Sequence, residues 1–140
     1  MKRTDKFPET NVFHYFNANP SNRFTTDCVL RAVCMFRRIS WAQAYRDLTE
    51  IGIKYSIDGQ DVKGVEYYLA QYGWHKMKQP RKMDGSKYTG REFCEKIAQK
   101  GSLYILSMAH HLTYVAEDKR IWDTWDCSGK SVGNYWVRKL

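Results

Sequence analysis

The sequence predicts an α+β fold, with helices first and a small antiparallel sheet last, on three observations. Apolar residues recur at spacings of three and four through about the first two-thirds of the chain. After Gly101 the period changes to apolar runs and alternations of strand length. The two patterns are segregated rather than interleaved, which argues against a doubly wound α/β architecture.

Each element has its own signals. Residues 1–24 carry Pro8, Pro20, Asn11, Asn17 and an Asn-Pro-Ser-Asn cluster at 19–22, and read as an irregular segment with turns. Phe13, Tyr15 and Phe16 could pin that segment to a core. Thr25-Thr26-Asp27 offers N-cap residues for a helix running from Cys28 to Ile39, with Val29, Ala32, Val33 and Phe36 on its apolar stripe. Arg31, Arg37 and Arg38 fall largely off that stripe.

Ser40-Trp-Ala-Gln43 has the form of a capping box and opens a second helix through Tyr45, Leu48 and Ile51, closing near Gly52. Asp58-Gly59 marks a turn. A third helix is expected from about Asp61 to Tyr72, stopped at Gly73. A second capping box, Thr89-Gly-Arg-Glu92, opens a fourth helix carrying Phe93, Ile97 and Ala98. Four strands are then expected at about 102–108, 111–116, 120–125 and 132–137, with a hairpin tip at 117–119.

Composition narrows the class of protein. The chain has 140 residues, with 23 Lys plus Arg against 15 Asp plus Glu, a formal charge of +8. That length suits one domain over residues 1–140, able to fold without a metal or disulfide. An apolar content of 43% with 15% aromatics excludes a low-complexity or disordered chain. No apolar run approaches the ~20 residues of a membrane-spanning helix. The basic start, Met1-Lys-Arg-Thr-Asp-Lys-Phe-Pro8, has no apolar stretch behind it, so no secretory signal is read and a cytoplasmic location is expected. The four cysteines, Cys28, Cys34, Cys94 and Cys127, form no CxxC pair, so neither a zinc site nor any other cofactor is expected.

Cys28 is the most informative residue. It follows Asp27 at the expected first turn of a helix, where free backbone N–H groups and the positive end of the helix dipole favour a thiolate. A thiolate nucleophile needs an imidazole within reach, and the imidazole needs an orienting acceptor. His111 leads an apolar strand, and Asp123 lies twelve residues later in the next one. Pairing about the 117–119 tip brings these two within one or two register steps. His110 points to the opposite face by strand alternation, and Asp126 reads as a turn former before Cys127-Ser-Gly. Cys34, Cys94 and Cys127 read as structural.

The order Cys, then a His leading an apolar strand, then Asp in the following strand resembles the papain-like cysteine peptidases, in particular the small peptidase C39-like and phage- or plasmid-encoded forms. The blocks carrying the resemblance are Thr-Thr-Asp-Cys-Val-Leu-Arg-Ala-Val at 25–33, His-Leu-Thr-Tyr-Val at 111–115 and the stretch from Trp122 to Trp136. The resemblance implies Cys28 as nucleophile, His111 as general base and acid, and Asp123 as the orienter of the imidazole. It implies a Cys28 N–H in the oxyanion hole, and a side-chain donor about six residues upstream. Where that family usually has glutamine, this chain has Asn22, one methylene shorter, between Ser21 and Arg23. The expected substrate is then an amide or isopeptide bond in a protein or peptide. The basic segment 76–91 suits an acidic partner.

Two other readings stay open. The charge and the basic residues Arg37, Arg38, Lys76, Lys78, Arg81, Lys82, Lys87, Arg138 and Lys139 would also fit a nucleic-acid- or protein-binding domain. Against this, they are scattered over several elements and no recognised nucleic-acid motif accompanies them. The same Cys-His-Asp set would equally serve an acyltransferase or amidase.

Overall fold

The computed structural model describes residues 1–140. Five helices and five strands follow one another as α1 (Arg3–Lys6), β1 (Phe13–Tyr15), α2 (Cys28–Arg37), α3 (Trp41–Tyr55), α4 (Val62–Ala70), α5 (Gly90–Lys96), β2 (Ser102–Met108), β3 (His111–Val115), β4 (Ile121–Asp123) and β5 (Tyr135–Lys139). The strands form one mixed sheet in the order β1-β4-β3-β2-β5. No helix is long and apolar enough to cross a membrane.

The sheet departs from the expected all-antiparallel, C-terminal arrangement at one edge. β1 comes from the segment read as irregular, and pairs parallel with β4 through Phe13–Ile121, His14–Trp122 and Tyr15–Asp123. The Asn- and Pro-rich flanks hid it, because a three-residue strand shows too few alternations to register a period. Burial accompanies the pairing: Val12 and Phe13 are both nearly inaccessible, packed in one core with Val115, Ile121 and residues of α5 and β2.

The sheet is covered on both faces, which explains why β2 reads as an unbroken apolar run. Leu103 and Ile105 face one core with Leu30, Val33 and Phe36 of α2, Leu48 of α3 and Leu69 of α4. Tyr104, Leu106 and Met108 face the second core with Phe93 and Cys94 of α5 and with Cys127 and Val132. Alternate residues of one strand thus serve opposite layers. Burying a Leu, Val or Phe contributes about 1.5–3 kcal/mol. The Leu30–Val33–Phe36 stripe alone therefore anchors α2 firmly across β3.

Helix ends follow backbone chemistry with small shifts. α2 stops at Arg37 because Arg38 turns left-handed (φ 60°), two residues before the expected end. α3 runs three residues past Gly52 and ends on a left-handed Ser56. Gly52 is there for close approach: a Cβ on it would lie 2.8 Å from the Ile57 carbonyl oxygen. The same crowding recurs next door. A Cβ on Gly59 would sit 1.8 Å from the Leu48 carbonyl oxygen, and one on Gly64 would sit 2.3 Å from that of Gly59. Three glycines let α3, the 56–61 turn and α4 press backbone to backbone. The Thr89–Glu92 capping box opens α5 as the pattern predicts, while Asp61, expected as the first residue of α4, caps it instead, and α4 ends at Ala70, two residues before the expected Tyr72.

Candidate active site

The first turn of α2 lies at the end of the sheet where β3 begins and β4 ends. Register brings the strand residues together. Tyr114 pairs with Trp122 and Val115 with Ile121, so Asp123 falls opposite Thr113, and His111 lies two residues further along the same face. His111 Nε2 is 2.7 Å from Asp123 Oδ2, and both side chains are almost fully buried. With Nε2 committed to the carboxylate, Nδ1 is the nitrogen left for the Cys28 thiol. Cys28 and His111 line one cavity of about 200 Å³, with Val29, Met108 and Leu112 as its apolar wall and Gln60, Asp61 and Val62 at the start of α4 as its rim. His110, at the β2–β3 turn with φ 57°, is exposed and flanks the opening. A larger apolar cavity of about 450 Å³, between Phe16, Met35, Tyr114 and Trp122, lies toward the other end of α2 and holds none of these groups.

The electrostatics follow from this packing. Burial alone would push the Cys28 thiol up, but the nearness of His111 and of the Leu112 N–H, with the charges of His111 and Arg31, leaves it below its ordinary value. Burial would likewise push the His111 imidazolium down. Its hydrogen bond to Asp123 and the nearness of Cys127 and Cys28 outweigh burial and raise it to about 11. Asp123, despite its burial, is held below the usual carboxylate range by His111 and Arg31. The arrangement favours a thiolate–imidazolium pair backed by a carboxylate. All four cysteines are free, and burial raises the other three, Cys34 to about 11 and Cys94 to about 12.

The pH dependence of stability carries a sign for each group. Asp123 contributes above the ordinary carboxylate value of ~3.9, and that contribution is lost as pH falls through its depressed folded value. His111 contributes fully below ~6.5, and its contribution is lost progressively as pH rises toward about 11. Urea unfolding across a pH series is expected to show a plateau at roughly pH 4–6.5, with a decline on the alkaline side that His111→Phe flattens. An unchanged alkaline decline in that variant would remove His111 as its cause.

The surrounding shell holds residues the sequence did not single out. Asp27 stands at the N-cap position, yet its carboxylate makes no capping bond. It turns inward instead, accepting from Arg31 Nε (2.9 Å), Asn19 Nδ2 (3.1 Å) and Trp41 Nε1 (3.0 Å). The Cys28, Val29 and Leu30 N–H groups are thereby left without a cap. Arg31, off the apolar stripe read for α2, is only 5% exposed, and its Nη1 donates to Asp123 Oδ1 at 2.7 Å. The one legible signal for it was its i,i+4 spacing from Asp27. Thr113 Oγ1 donates to Asp123 Oδ2 at 2.6 Å, and the Trp125 ring lies 4.9 Å from that of His111.

Asn22 is not brought to this cavity. It is exposed, in a left-handed turn (φ 53°), and is not among the residues lining the opening. The neighbouring Asn19 is committed, accepting the Ser21 and Arg23 N–H groups while donating to Asp27. Asp126 accepts the Ser128 N–H in a local turn. Cys127 lies beside the pair, its Sγ 3.7 Å from Asp123 Oδ2, so His111, Asp123 and Cys127 present donor atoms within 4.8 Å of one another. A cation there would face the Arg31 guanidinium and compete for lone pairs that Arg31, His111 and Thr113 already occupy. The donor set therefore suits proton chemistry better than a metal.

The basic residues do not converge on the cavity. Arg37 packs over the Tyr72 ring and Arg138 over Trp74, at the C-terminal end of α2. Comparison of the chain with protein-family models, curated proteins and solved structures returned no match.

Proposed function

We propose that this protein is a thiol-dependent hydrolase of amide or isopeptide bonds, with Cys28 as nucleophile, His111 as proton carrier and Asp123 as orienter. The reading is carried by one observation: a buried imidazole, held by a carboxylate at 2.7 Å, shares a solvent-open cavity with a thiol at the first residue of a helix. The Cys28 thiolate adds to the substrate carbonyl carbon. The oxyanion is met by the uncapped N–H of Cys28. His111 gives its proton to the departing amine nitrogen as the C–N bond breaks, leaving a thioester on Cys28. The neutral imidazole then takes a proton from water, which attacks the thioester and releases the acid and the thiolate. Asn22 has no part in this scheme. Val29, Val62, Met108 and Leu112 around the cavity suit an aliphatic group beside the scissile carbonyl.

Alkylation by iodoacetamide, followed residue by residue in a mass spectrum, tests the reading. Cys28 is expected to react well below pH 8.5, the ordinary midpoint of a free thiol being ~8.5. Its rate should plateau while Cys34, Cys94 and Cys127 stay protected by burial and raised pKa. Equal labelling of all four cysteines, or a Cys28 rate that rises only through the free-thiol range, would exclude an activated nucleophile.

A further inference from the structure

We propose that Arg31 is a positioning residue for the Cys28–His111 pair, acting through Asp123, with Asp27 setting how much of its charge reaches the thiol. This rests on the thiol reading above. Arg31 stands three residues after Cys28 on the same helix and reaches across to the strand that bears Asp123. One guanidinium therefore ties the element presenting the thiol to the element presenting the carboxylate. Two of its nitrogens reach different carboxylates: Nε meets Asp27 at 2.9 Å and Nη1 meets Asp123 at 2.7 Å. A lysine ammonium offers its three donors from a single nitrogen and lacks the planar spread of the guanidinium.

The carboxylate of Asp123 is saturated as a result. Oδ1 accepts from Arg31 and from the Thr124 N–H, and Oδ2 accepts from His111 and Thr113. It has no freedom to rotate, and neither has the imidazole it holds. The charges also alternate along the row Asp27, Arg31, Asp123, His111, Cys28, each attracting its neighbours. Arg31, three residues from Cys28 on the same helix, also brings a positive charge that favours the thiolate. Burying a guanidinium between two carboxylates is a poor way to gain stability, since the desolvation of the three ions offsets most of the Coulombic gain. Its value here is in setting the site.

The same alkylation experiment on the full chain, run against pH, separates this role from a structural one. Arg31→Met removes a positive charge near the thiol and is expected to move the Cys28 midpoint up by roughly one pH unit. Asp27→Asn keeps the shape of the network but removes a negative charge, and is expected to move the midpoint down. Arg31→Lys keeps the charge without the fork, so its midpoint should lie between those of the wild type and Arg31→Met. Simple loosening of the fold would move both Asp27→Asn and Arg31→Met in the same direction. If Arg31→Met does not fold by circular dichroism, the two conservative variants decide. A wild-type Cys28 without low-pH reactivity ends the hydrolase reading itself. Folded variants whose midpoints coincide with an activated wild type, or an upward shift in Asp27→Asn, overturn the role of Arg31 and leave that reading standing.

Discussion

Cys28→Ala is expected to abolish hydrolysis, lowering the rate of any amide substrate the wild type cleaves by on the order of ten-thousand-fold or more. On the proposed reading Cys28 has no substitute in Cys34, Cys94 or Cys127, which are buried and hold their protons more tightly. His111→Ala should cost a similar factor, because thiol and imidazole act as one unit and their losses do not add. Stability should divide the two. Cys28 is only partly buried, and its truncation is expected to shift the melting temperature by no more than a few degrees. His111→Ala opens a hole beside Trp125 and leaves Asp123 with one partner fewer, so it should melt distinctly lower. A screen of fluorogenic amide and isopeptide substrates supplies the activity readout. Hydrolysis that persists in purified, folded Cys28→Ala would transfer the role to another residue.

Gly59→Ala is expected to be the most destabilising single methyl in the chain. The added carbon would fall 1.8 Å from the Leu48 carbonyl oxygen and 2.7 Å from its carbon, both backbone atoms of a helix that cannot step aside. Relief requires α3 and the 56–61 turn to separate, which also unseats Gly64 from its approach to Gly59. A penalty above about 4 kcal/mol is expected, lowering the melting temperature by on the order of 10 °C or more. Gly129→Ala is the control, since nothing lies within 4 Å of its added carbon. The effect should also reach the cavity, because Gln60, Asp61 and Val62 on its rim follow directly from this turn. Slower Cys28 alkylation in whatever Gly59→Ala folds would register that link. Melting curves of the two variants that coincide would show the close approach to be loose.

Local chemistry carried much of what could be read in one dimension. The capping residues Ser40, Asp61 and Thr89 mark true helix starts, and Gly101 marks the change from helix to strand. The 117–119 tip set the spacing that makes His111 and Asp123 neighbours, because hairpin register is arithmetic once the turn is known. Signals of this kind depend on residues within a few positions of one another, and a sequence displays those directly.

Tertiary structure decided what depended on distant partners. Nothing around Phe13 announces a parallel edge strand, since its hydrogen-bonding partner is more than a hundred residues away. Arg31 resembles a solvated helix arginine until Asp123 arrives from 92 positions downstream and makes its burial tolerable. The papain-like resemblance implies Asn22 as a side-chain oxyanion donor, yet a left-handed turn leaves it exposed and off the cavity. A charge can be buried, or a side chain aimed, only by the groups that surround it in space. The residue types were therefore visible from the start, while which of them meet was settled by the packing of α2 against the end of the sheet.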